Sequence, residues 1–258
     1  MAEVLVGQDP VPLDANVRVV AVASEDETTA TRIASVCDIA TVVKHPNQLP
    51  RDLDGVLVME RNGSRHLDLA RPFLEAGQFV YIDKPVCETR ADLEQMQSWA
   101  ERSGSRLFGG SALRYSEDLA RVGAELAANP AESLVVTGPG PWYEYACHTV
   151  EILTVLYGSR IHAASALGSD DAGLAIVQGP ALARATIQWG HYPGEFRIDG
   201  YTPTEHKDWR IADAPTYYRN LMHHLIDGVM GRVLADPVAT AATVGVLEDV
   251  GRSLQSIP

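Results

Sequence analysis

Three residues in the middle of the chain have the types and spacing for proton chemistry. In the segment EYACHTVEILTVLYG, Glu144 and His148 stand at i and i+4, and Glu151 follows His148 by three. On a helix these share one face, so the carboxylates could orient the imidazole or raise its pKa. An outside group such as His191 would complete a divalent-ion site with Glu144 and His148, although the assignment adopted is no metal. The adjacent His223 and His224 point about a hundred degrees apart on a helix, which argues against joint ligation. Cys147 adjoins His148 in sequence but faces elsewhere, so no thiolate pair is expected. The aromatic side chains Trp142, Tyr143 and Tyr145 suit either stacking on a sugar ring or core packing.

Positioning such a cluster takes a folded core, and 258 residues with 46% hydrophobic content are enough to build one. Acidic residues outnumber basic ones by 34 to 21, a formal charge of −13, which would repel a phosphate backbone; no nucleic-acid partner is expected. Asp9, Asp14, Glu25, Asp26 and Glu27 interrupt the first thirty residues, and no apolar run is long enough to span a bilayer. The expectation is a cytoplasmic protein without a membrane partner. Cys37, Cys87 and Cys147 are odd in number and far apart, as for reduced thiols in a packed interior.

Two rhythms divide the chain. Apolar runs at Val17–Ala23, Gly55–Met59, Phe79–Ile82 and Arg106–Phe108 alternate with helix-like stretches at Thr28–Cys37, Ser64–Glu75 and after Thr89, which caps a helix with Asp92 three positions on. This is an α/β pattern, a truncated Rossmann-like parallel sheet over residues 1–111. Residues 112–258 read as an α+β domain with a mostly antiparallel open sheet. Its strands are Ser133–Thr137, Ile161–Leu167, Leu174–Gln178, Ala181–Trp189, Phe196–Tyr201 and Trp209–Ile211, with helices at Tyr143–Tyr157, Tyr217–Met230 and Val238–Leu254. Alternation is cleanest at Ala181–Trp189, where Arg184, Thr186 and Gln188 oppose Ala183, Ala185, Ile187 and Trp189.

Several local strings now fall into order. Asn62, His66, Glu75-Ala76-Gly77 and Ile82-Asp83-Lys84-Pro85, then Arg114-Tyr115, then the Glu144–Gly158 helix ending in glycine, together resemble the glucose-fructose oxidoreductase, inositol dehydrogenase and MocA (Gfo/Idh/MocA) family. The resemblance implies a dinucleotide domain followed by an α/β domain whose sheet often mediates assembly into a homodimer or tetramer. It also implies NAD or NADP exchanging hydride with a sugar or polyol. In that reading Lys84, His148 and Glu144 are catalytic, and Glu144 stands where the family commonly has Asp. Arg114, Tyr115, Trp142, Tyr143 and Glu151 would bind a small-molecule substrate, and Asn62 and His66 a cofactor. An ammonium beside a carbonyl or alkoxide oxygen stabilises charge there, a desolvated amine can lose its proton near neutral pH, and histidine can relay it.

One part of the family pattern is missing. A dinucleotide's pyrophosphate is bound on a glycine-rich turn at a helix N-terminus after the first strand. The only glycine before Gly55 is Gly7, and the eight residues QDPVPLDA, with two prolines, join the expected first strand directly to the next. A crossover with its helix needs at least about 10–12 residues, so the glycine-rich loop and first helix are expected to be absent. Glu60-Arg61 replaces the usual Thr-Pro before Asn62. Three functions compete: acid–base chemistry on a sugar-, polyol- or carbonyl-containing molecule with no cofactor, an NAD(P)-dependent dehydrogenase or ketoreductase with an altered cofactor site, and a non-catalytic binding or scaffold subunit.

Overall fold

The computed structural model describes residues 17–180, 182–192 and 194–255. Gly7 and the QDPVPLDA stretch therefore lie outside the described residues. Strands β1 (Ala21–Ala23) and β2 (Thr41–Val43) pair in parallel, joined by helix α1 (Glu27–Cys37). Strands β3 (Gly55–Val58), β4 (Phe79–Ile82) and β5 (Arg106–Gly109) form a second parallel sheet in that order, with α2 (His66–Glu75) and α3 (Arg90–Ser103) as crossovers. Thr89 caps α3 as expected, its hydroxyl accepting from the Asp92 amide. The strand expected over Val17–Ala23 contracts to its last three residues because β2 offers only three partners, and Val19 and Val20 are left exposed. Three residues are too few for β2 itself to show alternation. All four side chains of β4 are buried, as a central parallel strand demands.

The second half is built on a six-stranded sheet ordered β11-β10-β6-β9-β8-β7: β6 (Ser133–Pro139), β7 (His162–Gly168), β8 (Gly173–Gly179), β9 (Leu182–Gly190), β10 (Phe196–Tyr201) and β11 (His206–Ile211). Only β6 and β9 run parallel to each other. In β9 Ala185, Ile187 and Trp189 are fully buried while Arg184 is exposed, so alternation sets the face. Helices α4 (Glu117–Ala128), α5 (Cys147–Tyr157) and α7 (Pro237–Gln255) pack on that face around Trp142, Leu153, Ile187, Trp189 and Leu247. Helix α4 is not among the expected elements, although Leu119, Val122 and Leu126 recur at helical spacing; its start is set by Ser116, whose hydroxyl accepts from the Leu119 amide, and by Asp213, which receives the Ser116 hydroxyl at 2.6 Å and the Glu117 amide at 2.8 Å.

The closing helices return to the first half. Helix α6 (Ala214–Val229) ends on Arg106, whose guanidinium donates to the carbonyls of Gly228 and Val229 at 2.6 and 2.9 Å, a cation at the negative end of a helix. Helix α7 gives Val244 to the core beneath β3–β5 and Val246, Leu247 and Val250 to the core beneath the large sheet. Arg90 fixes it there by ion pairs of 2.7 Å to Glu248 and Asp249. Trp142 is at the centre of the larger core, 1% exposed, 4.6 Å from the Trp189 ring and donating to the Leu247 carbonyl at 3.3 Å. Trp142→Ala is expected to lower unfolding free energy by about 3–5 kcal/mol in denaturant titration, the cost of a large aromatic cavity.

Candidate active site

The turns that follow β3, β4 and β5 converge on the start of α5, at the carboxyl ends of the parallel strands, where open α/β sheets form their ligand crevices. Lys84 leaves the end of β4 and its ammonium donates to the Glu144 carbonyl at 3.2 Å, 5.5 Å from the centre of the Tyr145 ring. That carbonyl belongs to a π-helical turn, Trp142–Ala146, leading into α5. His148, the second residue of α5, places Nδ1 2.6 Å from the Ser111 hydroxyl and packs edge-on to Phe196 at 5.2 Å. Burial, followed by the nearby Lys84 charge, pushes the His148 pKa down to about 3, so the ring is neutral at physiological pH.

This reverses the expectation that flanking carboxylates raise the histidine's pKa. Glu144 turns away to Arg61, at 2.7 Å, because the π turn breaks the α-helical i, i+4 alignment. Glu151, 1% exposed, is held by Arg114 through its Nε and, at 3.0 Å, a terminal nitrogen. Burial raises the Glu151 pKa and the guanidinium opposes that rise. Burial works against the Arg114 charge, and the Glu151 carboxylate outweighs it. Gly110, at φ 121°, lets the backbone come this close: a Cβ there would sit 2.7 Å from a Glu151 oxygen.

Several predicted site residues are placed elsewhere. Trp142 belongs to the core and offers no ring face to a ligand. Arg114 and Glu151 satisfy each other inside the protein and act as scaffold, since a buried charge needs its partner. Tyr115 packs on His224, at 4.8 Å between rings, and burial pushes its hydroxyl up to about 12. The Tyr143 hydroxyl is sealed against Gly63 and Pro85, and burial raises its pKa. Asn62 is exposed and caps the short turn after β3, its side-chain oxygen accepting from the Ser64 amide at 3.1 Å. His66 is fully buried, its ring nitrogens 3.0 Å from the Val86 carbonyl and 2.8 Å from that of Glu60; it ties two turns together and faces no cofactor space. Among the described residues, Glu144, His148 and His191 form no metal-binding group. Ser111 and Arg61 complete the site; Arg61 drew notice only as a departure from the family's Thr-Pro, and Ser111 stands in no motif that sequence reading could have singled out.

A dinucleotide fits poorly on the described turns. After β1, Asp26 caps α1, accepting from the Thr29 amide at 3.1 Å and the Thr29 hydroxyl at 2.7 Å, and these bonds hold its pKa low. With Glu25 and Glu27 beside it, that helix start repels phosphate. After β3, the Glu60 carboxylate already takes the Arg61 and Asn62 amides, at 2.8 and 3.1 Å, and a Cβ on Gly63 would meet the Tyr143 hydroxyl at 2.8 Å. On both turns a carboxylate of the chain itself already takes backbone amides.

Residues 8–111 match the model described as oxidoreductase family, NAD-binding Rossmann fold. This first part of the chain is thus similar to the Gfo/Idh/MocA family. A 54-residue stretch is 41% identical to a protein of Amycolatopsis mediterranei described as a UDP-kanosamine synthase oxidoreductase subunit; it covers 21% of this chain and only 15% of that relative's length. The fold resembles KijD10, a 3-ketoreductase from Actinomadura kijaniata solved with NADP, with a TM-score of 0.82 at 14% identity over 98% of this chain and 92% of that one. It also resembles GenD2 from gentamicin A biosynthesis, solved with NAD, with a TM-score of 0.81 at 19% identity over 99% and 90%. At such identities the likeness speaks for the fold alone. Among the described residues no helix is long and apolar enough to cross a membrane.

The depressed His148 pKa has a consequence for stability. The unfolded chain takes up this proton near the ordinary value of 6.5, whereas the folded ring resists it until about 3, so the contribution is complete above 6.5 and is lost as pH falls between those values. Denaturant titrations at several pH values are expected to show His148→Gln losing less stability than the parent protein over that window.

Proposed function

We propose that the chain acts on a sugar-, polyol- or carbonyl-containing small molecule by acid–base chemistry, as in enolisation, elimination, isomerisation or cyclisation, without ordinary dinucleotide binding. The observation that carries this reading is the Lys84 ammonium, held by the Glu144 carbonyl beside a neutral His148 where three strand ends meet. The Lys84 ammonium hydrogen-bonds the substrate oxygen and stabilises the negative charge that develops on it while solvent water takes the carbon-bound proton, and return of a solvent proton to carbon restores the double bond to oxygen. His148 adds a neutral polar contact to the same oxygen, and Tyr145 supplies an aromatic wall. Arg61 holds the Glu144 side chain and so steadies the turn that supplies the lysine's anchor. A cytoplasmic homodimer or tetramer remains the proposed working form.

A second reading, an NAD(P)-dependent dehydrogenase or ketoreductase with an altered cofactor site, is favoured by the family match over residues 8–111. The two separate cleanly. Incubation of the purified protein with a panel of aldoses, ketoses and keto-sugars in heavy water, with no nicotinamide added, is expected to show exchange of carbon-bound protons by NMR. Lys84→Met should reduce that rate by at least about 100-fold with unchanged circular dichroism, the lower end of a general acid–base contribution. Turnover that appears only with NADH or NADPH, accompanied by saturable binding of either, would replace the first reading with the second.

A further inference from the structure

The Ser111 hydroxyl meets one imidazole nitrogen of His148, and which of the two groups donates there is open to argument from its other bonds. The serine side chain lies at the end of β5, at the start of the short turn Ala112–Tyr115, and the residue is 1% exposed. The Ser111 oxygen accepts from the Leu113 amide at 3.1 Å, and its one other side-chain partner among the described residues is His148 Nδ1 at 2.6 Å. A hydroxyl has one proton to donate, and a buried one left without an acceptor is costly. Were Nδ1 to carry hydrogen, both bonds would be accepted by the serine and its own proton would have nowhere to go. The Glu151 carboxylate is close, but it receives the Ser111 backbone amide, at 3.4 Å, and two groups of Arg114.

We infer that Ser111 donates to Nδ1 and so locks His148 as the Nε2–H tautomer, making the imidazole a hydrogen-bond donor to the ligand and not a base. Nε2 has no partner among the described residues, and the histidine as a whole is only half-buried, so this N–H is free to meet a ligand. The groups that act on the ring agree with such a role. Phe196 and Tyr145 are apolar neighbours, and the charge that faces it is the Lys84 ammonium, which disfavours a second positive charge. Lys84 and His148 would then both present hydrogen to one ligand atom. The ligand class that this selects is one with an oxygen that becomes negative, a carbonyl passing to an enolate or alkoxide; this last step rests on the acid–base reading above, while the tautomer does not.

The tautomer is read directly from long-range proton–nitrogen correlation spectra of protein labelled with nitrogen-15 histidine at neutral pH, with His148 assigned by the signal lost in His148→Gln. The expected pattern is an unprotonated, acceptor-type Nδ1 and a protonated Nε2. Ser111→Ala is expected to shift His148 to the other tautomer or to a mixture, and Ser111→Thr, which keeps the hydroxyl, to retain the parent pattern. A protonated Nδ1 in the parent protein overturns the inference even if Ser111→Ala does not fold, and so does an unchanged pattern in a folded Ser111→Ala. An Nε2–H ring in a protein that exchanges no substrate protons leaves the role of Ser111 standing and removes only the acid–base reading.

Discussion

The buried ion pair between Arg114 and Glu151 sets the register of everything around it. Its two residues come from different elements, one from the turn after β5 and one from α5, and neither charge can stay in the interior without the other. Ser111 precedes Arg114 by three residues and His148 precedes Glu151 by three, so a contact that aligns the second members of these pairs also aligns the first. The hydrogen bond between Ser111 and His148 follows from the ion pair geometrically. Removing either charge from such a pair costs about 3–5 kcal/mol, far more than one neutral hydrogen bond contributes, so the scaffold dictates to the site and not the reverse.

Lys84 is positioned from the other side by equally indirect means. The four buried residues of β4 aim the strand end at the crevice, and the fully buried His66 spans the carbonyls of Glu60 and Val86, keeping the turns after β3 and β4 together. The ammonium then meets the Glu144 carbonyl of the π turn, which also receives the Cys147 thiol at 3.5 Å. Arg61 completes the arrangement by taking the Glu144 side chain, so one residue anchors the lysine through its backbone and the opposite half of the fold through its carboxylate.

Sequence reading succeeds where one regular pattern decides the outcome. Period-two alternation in β9, the Thr89 cap and the run of parallel strands with helical crossovers are each set by local physics, and the fold class follows from them. It fails where two elements distant in the chain must meet. Glu144 and His148 look like partners because α-helical spacing is assumed, and a π turn separates them. Glu151 looks like a ligand to histidine until Arg114, thirty-seven residues earlier, claims it. His66 and Trp142 sit in motifs that suggest contact with small molecules, yet full burial commits both to holding the protein together. Ser111 has no sequence signal at all, because its importance lies in a hydroxyl proton whose destination only the assembled turn and helix define.

Two converging hydrogen-bond donors do not by themselves separate proton chemistry from hydride transfer, since an alkoxide is stabilised equally well in either reaction. What separates them is the seat for the diphosphate. Among the described turns at the strand ends, Asp26 takes the Thr29 amide and Glu60 takes those of Arg61 and Asn62. A phosphate arriving at either turn would have to displace a covalently tethered anion that is already bonded, and it would do so in a protein of net charge −13. A neutral sugar or keto compound meets neither obstacle. The carboxylates that stabilise these two turns thus favour an uncharged group over a phosphate there, which is what supports the proposed acid–base reading over its redox alternative.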